Sequence, residues 1–123
     1  MMKRLLVSLS ILFLCASPAQ AAITNALLTG ASSGTDASSY TTASITPTAN
    51  RLVIAFIFYR SALSVPPVVP TLSGNGLTWV KIASLDAAGK DGVAMFRAMG
   101  ASPSAGVVTI DFASDGQVHC HHS

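Results

Sequence analysis

The sequence predicts an all-β fold, an antiparallel β-sandwich, preceded by a short signal-peptide helix. Three observations predict it. Short runs rich in Val, Ile, Thr and aromatic residues recur between Gly, Pro, Asn and Asp turn signals. Strong polar helix formers are scarce: Glu is absent, and beyond the N-terminal leader the only lysines are Lys81 and Lys90. No segment after the leader carries a helical apolar period. A partly open β-barrel is the alternative architecture.

The leader comes first. Lys3 and Arg4 precede an apolar run from Leu5 to Cys15, and Pro18 and an Ala-x-Ala pattern ending at Ala21 follow. A charged start, a short apolar stretch and small residues at the cleavage position make a secretory signal peptide over residues 1–21. Cleavage is expected after Ala21, with Ala22 as the near alternative. The apolar run is about 11 residues, or ~17 Å of helix, too short for a ~30 Å hydrocarbon core. A lipoprotein signal needs a small residue before the acylated cysteine, and Leu14 precedes Cys15. The expected location is therefore secreted, periplasmic or cell-surface, with no membrane span after cleavage.

Removing the leader changes the charge. The whole chain carries seven Lys and Arg against five acidic residues. Lys3 and Arg4 leave, so five basic groups balance Asp36, Asp86, Asp91, Asp111 and Asp115. A neutral surface offers no electrostatic footprint for nucleic acid or an anionic membrane. Cys15 also leaves, so Cys120 has no intramolecular disulfide partner. Residues 22–123 suffice for one modest core and are read as a single domain.

Along that domain, Ile23 to Thr29 reads as a first strand and Gly30 to Tyr40 as a polar loop. Thr41 to Thr46 reads as a strand stopped by Pro47, with a turn at Thr48 to Asn50. Leu52 to Tyr59 (LVIAFIFY) is apolar throughout, which predicts a central strand buried on both faces. Val65 to Pro70 holds three prolines and reads as an extended connector. Gly74-Asn75-Gly76 is a turn signal. Thr78 to Leu85 follows as a strand with Val80, Ile82 and Ser84 on one face and Trp79, Lys81, Ala83 and Leu85 on the other. Val93 to Met99 completes a hairpin with it, with Ala94, Phe96 and Ala98 sharing a face. In Val107 to Phe112, Val108, Ile110 and Phe112 point inward. Asp115-Gly116 is a further turn signal, and Gln117 to His122 starts a last strand.

The stretch from Ser44 to Phe112 resembles uncharacterised secreted or surface β-sandwich domains of bacteria. The resemblance rests on SITPTANRLVIAF, a Pro-rich connector, LSGNGLTWVKIAS and GVAMFRAMGASPSAGVVTIDF, with a G-x-G-L-T-W turn-strand and a "psaGtvTi"-like strand. It implies an Ig-like or jelly-roll-like sandwich and no activity. Such domains continue by a strand or two past the point matching Cys120, which opens the alternative that residues 22–123 are a truncated domain. A truncated domain is expected to leave Leu52 to Phe58 with an open edge or an uncovered face.

Candidate chemistry is thin. His119, Cys120, His121 and His122 form the densest ligand set, and imidazole with thiolate suits zinc or copper. In a strand, His119 and His121 share one face while Cys120 and His122 share the other, so each face offers two ligands where a stable site needs three or four. Gly30-Ala31-Ser32-Ser33-Gly34 matches the G-x-S-x-G elbow pattern, but TDASSYTTAS after it cannot supply the helix that the elbow requires. Without Glu, a glycosidase carboxylate pair has little support, and Asp86 and Asp91 read as turn formers rather than calcium ligands. Trp79 is the candidate for stacking on a sugar ring, with core packing as the competing role.

The sequence thus points to an exported, non-catalytic β-sandwich with a structural or recognition role and no cofactor. A carbohydrate-binding module using Trp79, or metal binding through His119, Cys120, His121 and His122, are the alternatives. The partner expected is a carbohydrate or a protein.

Overall fold

The computed structural model describes residues 22–63, 66–87 and 89–123. The expected signal helix over residues 1–21, and Val65 of the proline connector, lie outside the described residues. Eight strands form: β1 (Ala31–Ser33), β2 (Ser39–Thr41), β3 (Val53–Ser61), β4 (Thr71–Gly74), β5 (Val80–Asp86), β6 (Asp91–Ala98), β7 (Val108–Asp111) and β8 (Gln117–His122). They build two antiparallel sheets, ordered β1-β8-β3-β6-β5 and β2-β7-β4. The sheets pack face to face and do not close into a barrel. Among the described residues no helix is long and apolar enough to cross a membrane.

Alternation explains the core. From β3, Val53, Ile57 and Tyr59 point inward, joined by Ala94, Phe96 and Ala98 of β6 and by Cys120 of β8. Ile110 of β7 and Phe112 just after it meet them from the three-stranded sheet and are fully buried. Phe112 packs edge-on against Tyr40 at 6.1 Å and tilted against Tyr59 at 5.2 Å. The Tyr40 hydroxyl also donates to the Gln117 carbonyl at 2.5 Å, so a β2 side chain ties one sheet to the other.

Several expectations change. Residues 22–30 form no strand, because among the described residues no strand pairs with their backbone. The loop expected over Gly30 to Tyr40 instead contributes β1, paired with β8, and most of β2, paired with β7. Of the strand expected over Thr41 to Thr46, only its first residue belongs to β2, and Ile45 makes an isolated bridge to Gly106. β4, for which the sequence carries no strand signal, pairs with β7.

The largest correction concerns β3. It is central, lying between β8 and β6, but it is buried on one face only. Ile54, Phe56 and Phe58 point outward and are 37%, 41% and 47% exposed. β5 departs too: a bulge between Lys81 and Ala83 shifts its register. Val80, Ala83 and Leu85 therefore stand opposite Arg97, Met95 and Val93, and Lys81 and Ser84 stand opposite Phe96 and Ala94. All of β5 is exposed, because it is an edge strand that the three-stranded sheet does not cover. A bulge on such an edge disfavours further strand addition.

The Gly74-Asn75-Gly76 signal marks a turn with three successive positive φ angles, of 128°, 59° and 62°. Glycine and asparagine are the residues that tolerate this. Asn75 is also buried, and its amide donates to the carbonyls of Ser104 and Gly106 at 3.1 and 2.9 Å.

Candidate functional site

The C-terminal His/Cys set lies on β8, and the strand splits it. Cys120 and His122 face inward and are 2% and 7% exposed, while His119 and His121 face outward. Cys120 stands opposite Tyr59 in the core, and burial pushes its thiol up to about 11. A thiol of that acidity carries little thiolate, the form that binds metal, near neutral pH. Among the described residues no three of His, Cys, Asp or Glu converge as a metal centre would require. Burial holds the His122 imidazole below its usual pKa, with the neighbouring His121 adding to the effect.

Ser32 lies mid-strand in β1, not at a strand-to-helix turn. It stands directly opposite His121 on the outward face, a proximity set by the β1–β8 register and so without a local sequence signal. Among the described residues no carboxylate pairs with His121 to orient it. On its other side His121 meets the Phe58 ring at 6.1 Å.

Trp79 immediately precedes β5. It is half-buried against the core cluster, and its indole N–H donates to the Gly74 carbonyl at 3.4 Å. Asp86 stands opposite Gly92 in the β5–β6 pairing, and Asp91 forms an exposed ion pair with Arg60 at 3.8 Å.

Three features escape the sequence. The first is a buried polar cluster. Asp115, read there as a turn former, is 4% exposed and accepts from the Ser61 hydroxyl at 2.9 Å, the Val68 N–H at 3.2 Å and the Gln117 amide at 3.0 Å. It pins the connector after β3 to the start of β8, which is structural work.

The second is the outward face of the five-stranded sheet. The register lays side chains in rows across it. Ser32, His121, Phe58, Val93 and Leu85 form one row. Phe56, Met95 and Ala83 form the next, and Ile54, Arg97 and Val80 a third. Beyond the first row lie His119, Arg60 and Asp91. The face thus has an apolar centre with charged or titratable side chains at both ends.

The third is a cavity of about 130 Å³ between the sheets. Val53, Ala55, Leu72, Trp79, Val108 and His122 are among its lining, and Leu27 and Leu28 of the N-terminal segment line it too. The Nε2 atom of His122 is buried and has no hydrogen-bond partner among the described residues.

No family model matches this chain, and neither a curated protein nor a solved structure matches it.

Proposed function

We propose that this is an exported, non-catalytic β-sandwich whose structural or recognition role is exercised through the outward face of its five-stranded sheet. The observation that carries the reading is the exposed apolar centre formed by Phe56, Phe58 and Leu85, with Leu85 68% exposed. Contiguous apolar exposure on a folded domain marks an interaction surface. The leader over residues 1–21 supports export, and the neutral charge left without it supports a partner that is neither nucleic acid nor an anionic membrane.

The occupant proposed is a second copy of the same face. Charge permits this: Arg97 lies at one end, and at the other Asp91 is already paired with Arg60, so neither end carries a like-charge block against a second copy. A two-fold axis in the plane of contact, perpendicular to the strands, brings the Arg97 end of one copy over the Asp91 end of its mate. Such an isologous contact closes on itself. Three rows across four strands span roughly 19 by 17 Å, about 300 Å² of face. A stable dimer uses about 800 Å² per partner, so the association is weak and reversible. Amide chemical shifts followed on dilution of the exported protein test this. Shifts concentrated in β3, β5 and β6 support the reading, and dilution-invariant spectra contradict it.

The kinship with Ig-like surface sandwiches of bacteria belongs to the same proposal, supported by the placement of Gly74-Asn75-Gly76 at the corner leading to β5. Sugar binding through Trp79 is the weaker reading, since its packing against the core supports a structural role for that ring.

A further inference from the structure

A gap one strand wide opens beside β3, with backbone along both of its sides. β8 pairs with β3 as far as Ser123, which exchanges hydrogen bonds with Phe56 at 2.9 and 3.2 Å. Backbone groups alternate in direction along a strand, so Ile54, two residues before Phe56, turns its N–H and C=O to the same side. Among the described residues nothing pairs with them there. The N-terminal segment forms the other side of the gap. Ala31 stands opposite His122, which stands opposite Ile57, so the chain enters β1 two interstrand spacings from β3, or about 10 Å. Gly30 lies against Ser123, and residues 26–29 line the same opening as Leu52, Val53, Ile54 and Ala55. Among the described residues no strand pairs with residues 26–29.

We infer that this gap is a strand-addition site for an extended segment of another protein, one that carries two apolar side chains two residues apart and a carboxylate two residues after the second. In this mode main-chain hydrogen bonds give affinity and alternate side chains give specificity. A segment continuing the line of β8 runs antiparallel to β3. Its first residue stands opposite Ala55, and its second exchanges hydrogen bonds with Ile54. Val53 faces the core and Ala55, two residues on, shares its side, so the first and third residues of the segment send their side chains inward too. There they meet Ile45, Leu72, Trp79 and Val108, which favour apolar groups. The fifth residue comes opposite Arg51. Arg51 bounds the outer end of the opening with Thr48 and Leu52, and no other Arg, Lys, Asp or Glu side chain lines it. Among the described residues no carboxylate pairs with Arg51, so an acidic fifth residue complements it. No stretch of this sequence reads apolar-x-apolar-x-Asp, and Glu is absent, so a second copy does not supply the pattern. The site is separate from the outward face, because it uses the backbone edge of β3 and the space between the sheets.

Isotopically labelled residues 22–123 are titrated with the peptide Val-Thr-Val-Thr-Asp-amide, and backbone amide shifts are followed. Saturable shifts are expected at Leu52, Ile54 and residues 26–29, with a matching change in the emission of Trp79, the single tryptophan. Thr-Val-Thr-Val-Asp-amide turns its apolar side chains outward and should bind at least fivefold more weakly. N-methylation of the first threonine removes the N–H that meets the Ile54 carbonyl and should also weaken binding at least fivefold, the value of one hydrogen bond. Replacing the peptide's Asp with Asn should cost about twofold to fivefold, the value of an exposed ion pair, and nothing in Arg51→Ser. The peptide variants leave the protein unchanged, so its folding does not enter these comparisons. Absence of saturable shifts at Ile54 overturns the proposal, as does equal affinity for the two valine phases, for the N-methylated peptide or for the Asp and Asn peptides. Shifts at Ile54 and residues 26–29 that move on dilution without peptide would assign the gap to a second copy and overturn it as well.

Discussion

Gly92 stands directly opposite Tyr59 on the inward face of the five-stranded sheet, with the phenol ring lying over its α-carbon. A β-carbon at Gly92 would stand 2.5 Å from two ring carbons, closer than packed atoms tolerate. The ring is held by Phe112 behind it, so it cannot swing aside freely. Gly92→Ala is therefore expected to cost about 1–3 kcal/mol in urea unfolding, the usual penalty of overpacking. Gly34→Ala, with nothing within 4 Å, is the control and should stay within about 0.5 kcal/mol of wild type.

Asp115 organises the connector after β3 by accepting from Ser61, Val68 and Gln117. Asp115→Ala strands the buried Ser61 and Gln117 donors, each worth about 1–3 kcal/mol if left unpaired, with partial relief by rearrangement, and frees the more exposed Val68 N–H to water. Thermal unfolding followed by circular dichroism should show Tm lowered by roughly 10–20 °C, given about 4–8 °C per kcal/mol in a domain of this size. Asp115→Asn keeps one acceptor oxygen and should lose less.

Stability should fall on both sides of neutrality, for separate reasons. The folded state holds His122 below its unfolded pKa of 6.5, so the unfolded chain binds more protons in acid, and stability drops as pH falls through 6.5. Cys120 is raised from 9.0 to about 11, so its neutral thiol stabilises the fold below pH 9.0, and that stability is lost as pH rises from 9.0 towards 11. Urea midpoints measured across pH should show a shallower acid slope in His122→Leu and a shallower alkaline slope in Cys120→Val. Buried Cys120 should also resist alkylation at pH 8 until the protein unfolds.

The sandwich was legible where its signal is local. Val107 to Phe112 alternates, Val93 to Met99 alternates, and the Gly/Asp loop before Val93 announces a hairpin, so β5, β6 and β7 could be read directly. β1, β2 and β4 are three or four residues long and exist through pairing with β8 and β7, a non-local cause that a Ser- and Gly-rich stretch does not announce. The outward side of β3 was hidden for another reason. LVIAFIFY has no polar residue to mark a solvent face, so Ile54, Phe56 and Phe58 read as core. At the C-terminus, strand alternation alone separated His119 and His121 from Cys120 and His122. The cavity beside His122 needed both sheets and the N-terminal segment to become visible.

Sedimentation velocity of residues 22–123 over a concentration series tests most directly whether the outward face of the five-stranded sheet is a recognition surface for its own kind. The expected result is a sedimentation coefficient that rises with concentration from monomer towards dimer, and that stays at monomer in Phe56→Thr and Phe58→Thr. Both positions are exposed and threonine suits a strand, so unfolding should remain within about 1 kcal/mol of wild type. A wild-type protein that stays monomeric to its solubility limit, or an association that survives both substitutions, would contradict the account.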